Sequence, residues 1–410
     1  MSEFNIKKQI RVLYANGVLS NLSVTGAWVV LLSVRGFSLW QIGIAETVFH
    51  ITSLIFEIPS GVLADAYGRK KMLLLSSISA AIASIVMVLS TNLPTVCLSI
   101  AIHALSYNFA SGSGDALAYD SLKLVGHEGK YEKYSSNQSV IYRITSGIST
   151  LCAGLALLMG YRMAYLLSAF SHVVAFLVTL ILVEVESDDK ADIAKHGDRS
   201  GSKESNKPHE KEKYERDKKN RNGKEQNDER YREPDYKKES SLIKKLIGYF
   251  VESIVFLKVN TKATALMFLN SFIGAVDILL LFFLQSNLKT AGLSDILLGP
   301  ALFFMEMGGV IGSKLILKAE RVKYVRVFMV CCLGVMTGVF LEHTKIALIM
   351  ALGGFISAMA DDAIQIRTDR KLQDMFPSEQ RATLISISSF TFSVIMIVLS
   401  PLAGWFFERW

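Results

Sequence analysis

The fold class this chain predicts is an all-α protein that crosses a membrane many times, and three observations predict it. Apolar runs of roughly 20 residues, the length that crosses a bilayer core, recur along most of its 410 residues. Hydrophobic residues make up 51% of the chain and mean hydropathy is +0.35, above what a soluble domain of this size carries. Charge is concentrated elsewhere: residues 187–240 hold sixteen Lys/Arg and fifteen Asp/Glu, leaving the remainder poor in both signs.

In chain order, spans are predicted over 11–34, 39–63, 71–90, 94–119, 137–159, 162–183, 262–285, 294–317, 322–341, 345–366 and 382–407, eleven in all. The stretch 242–257 is apolar but broken by Lys244, Lys245 and Glu252, which predicts an amphipathic helix lying at the interface. Residues 187–241 have no apolar period and near-balanced charge, so they cannot bury enough surface to offset the entropy of ordering. They read as a disordered cytoplasmic linker, with a docking role as the alternative. The chain thus divides into a six-span bundle over 1–186, the linker over 187–241, and an interfacial helix plus five-span bundle over 242–410.

Loop charge sets the orientation. Alternate loops hold Arg69-Lys70-Lys71, then Lys123, Lys130 and Lys133, then Lys318, Arg321 and Lys323, then Arg370, Lys371 and Arg381. The opposite loops hold little beyond Arg35, Arg162, Lys289 and Lys345. Positive residues stay inside, which predicts a multi-pass protein of the cell (inner) membrane with a cytoplasmic N-terminus. The same bias accounts for the net charge of +7, so no nucleic-acid partner is expected. Cys97, Cys152, Cys331 and Cys332 all fall inside apolar runs without metal-ligand or redox spacing. No metal or other cofactor is expected. The basic N-terminus leads into a full-length apolar run without a cleavage site, so no signal peptide is expected.

Two weak repeats are visible. Gly36-Phe37-Ser38 followed by Gly43 opens the second span, and Gly292-Leu293-Ser294 followed by Gly299 opens the eighth, 256 residues on. Asp115-Ala116-Leu117 near the end of the fourth span likewise matches Asp362-Ala363-Ile364 in the tenth. Two parallel halves related by an axis along the membrane normal would produce this pattern.

Between spans two and three the chain reads Gly61-Val62-Leu63-Ala64-Asp65-Ala66-Tyr67-Gly68-Arg69-Lys70-Lys71. This string resembles the signature cytoplasmic loop of the major facilitator superfamily, G-x-L-A-D-x-x-G-R-K, at every defined position. The resemblance implies two pseudo-symmetric helical bundles, here with six and five spans, so the family's twelfth span is missing. It implies a cytoplasmic gate built from Gly61, Asp65, Gly68, Arg69 and Asp120. Gly61 would admit a neighbouring helix at backbone distance and Gly68 a tight turn. Asp65 would face the positive end of the eleventh span near Pro377-Ser378-Glu379, and Arg69 would bridge Asp65 and Asp120. Lys70 and Lys71 fit equally a simple positive-inside anchor.

Ionised groups near the bilayer centre cost roughly 2.5–3.5 kcal/mol each even on lenient insertion scales. This chain places Glu46, Glu57, Asp115, Arg143, Asp277, Glu306, Asp361 and Asp362 inside its spans. Asp115 and Arg143 stand at similar depth in adjacent spans and read as a buried ion pair. Glu57, about one turn before Gly61, reads as part of the gate. Asp277 and Glu306 lie mid-span without a basic residue at their depth and are candidates for proton coupling. Asp362 is a third, with Arg367 as its neutralising partner. For each, a neutral carboxyl hydrogen-bonded to a neighbouring helix is the alternative. His50, His103 and His172 share no ligand spacing and read as satisfied core histidines. Tyr14, Trp28, Tyr107 and Phe282-Phe283 could line a cavity, or simply pack.

No nucleotide-binding loop and no catalytic set stands out, so an enzyme is not expected. The resemblance implies a secondary transporter working by alternating access, with proton-coupled export of a small hydrophobic or cationic compound as the first reading. Its partners would be that compound, protons and the lipid bilayer, and it would act as a monomer. Span five lacks the G-P-x-x-G-G string of antiporters, which leaves uptake by symport open. A non-transporting sensor or truncated remnant is the reading from another class.

Overall fold

Runs of Leu, Ile, Val, Phe and Ala with few breakers leave a chain in a bilayer one simple way to satisfy its backbone, which is to hydrogen-bond within the helix. A computed structural model describes residues 4–185, 259–319, 321–375 and 381–409. The side chains of Ile58, Val62, Asp65, Glu132 and of residues 373–375 and 381–387 lie outside that description. So do the linker 187–241 and the interfacial helix expected over 242–257.

The described helices are α1 (Ile6–Asn21), α2 (Trp28–Val34), α3 (Leu39–Tyr67), α4 (Arg69–Leu89), α5 (Leu93–Ala110), α6 (Ser113–Leu124), α7 (Tyr131–Leu151), α8 (Ala153–Met159) and α9 (Tyr161–Leu180). Then follow α10 (Thr261–Thr290), α11 (Asp295–Lys318), α12 (Tyr324–Glu342), α13 (Ala347–Met375) and α14 (Arg381–Arg409). Among the described residues nine helical segments are long and apolar enough to span a bilayer, and α7 with α8 makes a bent tenth. These are spans two to eleven of the expected set.

The first expected span, 11–34, is not one helix. It unwinds over residues 22–27, where Ser23, Thr25 and Gly26 are poor helix formers. The freed backbone is satisfied by hydroxyls from neighbours, as a bilayer demands. Ser171 Oγ donates to the Leu19 carbonyl at 2.8 Å, and the Ser23 N–H donates to Ser149 Oγ at 2.9 Å. The fifth span begins near residue 131, before its expected start at 137, and bends by 46° at Cys152.

The repeat has a local physical reason. Gly36 and Gly292 both take positive φ, +90° and +87°. Each follows a helix end at which the next N–H reaches back five residues, Phe37 to Leu32 and Leu293 to Leu288. Only glycine holds that left-handed closing position without a steric penalty. Ser38 and Ser294 then occupy the N-caps of α3 and α11.

Gly43 and Gly299 serve packing instead. A Cβ on Gly43 would overlap the Ser400 carbonyl oxygen of α14, and one on Gly299 the Leu151 carbonyl oxygen of α7. Two glycines answer from the facing side: a Cβ on Gly404 would meet the Leu39 carbonyl, and one on Gly154 the Asp295 carbonyl. The helix pairs α3–α14 and α7/α8–α11 therefore touch backbone to backbone at the end of the bundle away from residues 65–71. Pro401, inside α14, lacks the N–H that would bond the Ile397 carbonyl, and Thr47 Oγ1 of α3 donates to that carbonyl at 3.0 Å. At the other end, nothing described comes within 4 Å of a Cβ on Gly61. The seam between halves is closed at the far end, whereas at Gly61 no described atom comes that close.

Candidate functional site

The loop motif folds as a tight joint between α3 and α4. Gly68 stands between them at φ +104°, where a Cβ would collide with the Glu184 carboxylate. Glu184 caps α4: its two oxygens accept from the Arg69 N–H at 2.9 Å and the Lys70 N–H at 3.0 Å. A carboxylate there satisfies orphan donors and meets the positive end of the helix dipole. Arg69 Nη1 pairs with the Asp120 carboxylate of α6 and donates to the Ala116 carbonyl at 3.3 Å. The expected contact of Asp65 with the start of α14 lies outside the described residues. Glu184 was not anticipated from sequence.

The seam holds two cavities. The larger, about 630 Å³, opens beside Glu57 and Ser60 and runs between α3, α5, α10, α13 and α14. Its wall is polar for a membrane protein, with Asn108, Asn270, Gln365 and Asp369 among its residues.

The smaller, about 270 Å³, lies where α7 faces α10, α11 and α13. Arg143 enters it from the first half; Asp277, Glu306 and Asp362 enter from the second. Two expectations change here. Asp115 and Arg143 form no ion pair: Arg143 instead acts electrostatically on Asp362, while Asp115 in the first turn of α6 interacts with Tyr131 and Tyr134. Similar depth along two helices does not fix which faces meet, because side chains on a helix point around its whole circumference. Second, Asp277 and Glu306 do share their cavity with a cation, supplied across the seam. Arg367, the expected partner of Asp362, donates to the Val322 carbonyl at 2.9 Å.

Each carboxylate is placed differently. Glu306 Oε1 accepts from Thr150 Oγ1 at 2.8 Å, a hydrogen bond from one half to the other. Asp362 accepts from Ser313 Oγ at 3.4 Å and lies against Gly309, where a Cβ would displace it. Asp277 is 5% exposed, and its Oδ1 has no partner among the described residues. Behind it are Asp361 and Glu342, 4% and 3% exposed, whose charges also act on it. Glu342 was missed in the sequence because it ends a span beside His343 and looks like a loop residue. Of these acids, Asp277 alone belongs to both groups: it shares the cavity of Arg143 with Glu306 and Asp362, and it stands beside the buried Asp361 and Glu342.

Of the aromatic candidates, Trp28 and Phe282 meet edge-on across the seam at 5.7 Å, and Tyr107 lines the larger cavity. Tyr14 stacks on Tyr134, and Phe283 is core. Among the described residues no group of three or more His, Cys, Asp or Glu is placed to hold a metal.

Comparison with known proteins agrees with this architecture. A nucleoside transporter, NupG, superposes with a TM-score of 0.68 at 16% identity, covering 99% of this chain and 92% of that one. A D-xylose-proton symporter superposes at 0.62 with 11% identity, covering 98% and 89%. At such identities the likeness establishes the fold. A curated relative, the uncharacterised MFS-type transporter YxaM of Bacillus subtilis strain 168, is 25% identical over 193 residues. That match spans 46% of each protein, so this chain covers about half the length of the relative. The family model of the Major Facilitator Superfamily matches residues 13–369. A motif loop capped and ion-paired at one end, a repeat that explains itself as matched helix joints, and a family match over most of the chain lead to one statement: this protein is a multi-pass membrane protein and belongs to the major facilitator superfamily.

Proposed function

We propose that the chain is a proton-coupled exporter of a small cationic compound, working as a monomer by rocking residues 1–186 against residues 242–410 with its N-terminus in the cytoplasm. The observation that carries this is the small seam cavity, where Asp277, Glu306 and Asp362 of one half confront Arg143 of the other. Carboxylates whose company changes as the seam opens and closes give up and regain protons with the conformation, which ties a gradient to movement. The orientation rests on the basic loops, and export on the resemblance of the 61–71 loop to that of proton-coupled exporters. In this frame Gly61, Asp65, Gly68, Arg69 and Asp120 form the cytoplasmic gate, at the end of the seam opposite the glycine contacts of Gly43 and Gly299.

Inverted vesicles test it. With an imposed proton gradient, wild type should accumulate a radiolabelled organic cation, whereas Asp277→Asn, a permanent mimic of the protonated acid, should exchange it without accumulation. Glu306→Gln separates the second candidate, and Asp362→Asn the third. Uphill movement with unchanged pH dependence in all three variants would place the proton site elsewhere. Accumulation in right-side-out vesicles would reverse the direction.

A further inference from the structure

The break in the first span opens onto a chamber that the mechanism above does not use. It encloses about 420 Å³ inside the first half, walled by α3, α4, α5, α9 and the unwound segment, with Phe282 of α10 reaching in from the other half. Its serines, threonine and asparagine are largely hydrogen-bonded among themselves or to backbone, but three of its ionisable groups are nearly idle among the described residues. Glu46 takes part in one contact, from His50 Nε2 to its Oε1 at 3.2 Å, and His103 and His172 have no hydrogen bond among the described residues. Stranding such groups in a bilayer is costly unless water or a ligand answers them.

The shape favours a ligand. Trp28 and Phe282 form an aromatic wall across the seam, so anything lying on it touches both halves. Phe49 lines this chamber and also the larger seam cavity, with ring contacts to His50, His103 and Tyr107 at 5.4, 6.4 and 6.1 Å. Its ring therefore stands between the two spaces. Among the described residues no lysine or arginine lines the chamber. The guanidinium of Arg35 is behind Met87, 3.5 Å from its sulfur, and is held by the Ser90 carbonyl and the Tyr161 ring.

We infer that this chamber binds a small organic cation with a flat apolar body, its charge toward Glu46 and its body on Trp28 and Phe282, entered past Phe49. Aromatic faces and one carboxylate are the groups that select such a cation over a neutral or anionic compound of the same shape. The inference rests on the export reading above and gives the substrate a place apart from the proton-exchanging acids.

The test uses the purified full chain and N-methylpyridinium chloride, a cation that quenches indole fluorescence on contact. Wild type should show saturable quenching, and Trp28→Phe should lose the saturable part while Trp40, Trp405 and Trp410 retain linear collisional quenching. Glu46→Gln should raise the half-saturating concentration at least tenfold, with Glu46→Asp within threefold of wild type. Benzenesulfonate, an anion of similar shape, should not saturate. Phe49→Ala keeps every charge and should speed the quenching at least fivefold. Quenching that never saturates, that ignores Glu46→Gln in a monodisperse helical protein, or that keeps its rate in Phe49→Ala overturns the proposal. Proton-driven transport without saturable quenching would remove the chamber and leave the export reading. Saturable quenching without proton-driven transport would do the reverse.

Discussion

At the scale of single residues, the joint at the loop motif shows what one carboxylate contributes. The first N–H groups of α4 have no partner within their own helix, and Glu184 accepts two of them. Glu184→Gln should cost about 1 kcal/mol, near the usual worth of a helix cap, and Glu184→Ala somewhat more. Arg69→Ala should cost more still, because it strands the largely buried carboxylate of Asp120 without its cation. Thermal unfolding of the purified variants in one detergent would read that order; equal midpoints for wild type and Glu184→Ala would remove the capping role. Legibility differs between these residues for a physical reason. The motif string gives Arg69 away because the turn, the glycine and the charge sit together in ten residues. Glu184 is an acid just past the end of a span, as common at membrane edges as anywhere, and its job appears only once the chain has returned to the joint 115 residues later. Asp115 and Arg143 failed for the complementary reason: depth is readable along a helix, but the face presented to a neighbour is set by tertiary packing.

At the scale of elements, the repeat was visible and its purpose was not. Sequence placed Gly43 and Gly299 at one register in two helices; packing shows each pressed against a backbone carbonyl of the opposite half. The helix break at 22–27 had its signal too, in Ser23, Thr25 and Gly26, but the hydroxyls of Ser149 and Ser171 that make it tolerable come from distant spans. Because the close contacts form where the far end is shut, Gly43→Ala and Gly299→Ala should each penalise that conformation and leave the opposite one nearly untouched. A ligand-free shift of populations is the expected sign. Cysteines introduced on either side of the seam should become more reactive from the far side and less from the motif side, in both variants. A change in one variant alone would mean that the two glycines are not equivalent parts of one seal. Unchanged reactivity in both would show that α3–α14 and α7–α11 can separate and close without backbone contact.

At the scale of the whole molecule, the two halves meet through a few helices: α2 with α10, α3 with α14, and α7 and α8 with α11. Hydroxyl and aromatic contacts stitch the seam, among them Ser33 Oγ with Ser286 Oγ at 2.7 Å and Trp28 with Phe282. These contacts hold one conformation, and none of them needs residues 187–240. The charged segment is therefore expected to act as a tether whose length matters little. Loop-closure entropy grows only with the logarithm of length, so shortening a long tether by a factor of three or four changes it by about 1 kcal/mol. Deleting roughly 40 residues from within 187–240, while keeping Glu184 and the residues around it, should leave membrane insertion, unfolding midpoint and vesicle transport close to wild type. The near-balanced charge makes the deletion informative, since removing equal numbers of acids and bases leaves the net charge of the protein almost unchanged. Normal insertion with transport lost would assign the segment a specific role, and a scrambled segment of the same composition would then tell docking from charge. Loss of insertion instead would mean that the segment guides the second half into the membrane, a role that a purely solvated tether does not have.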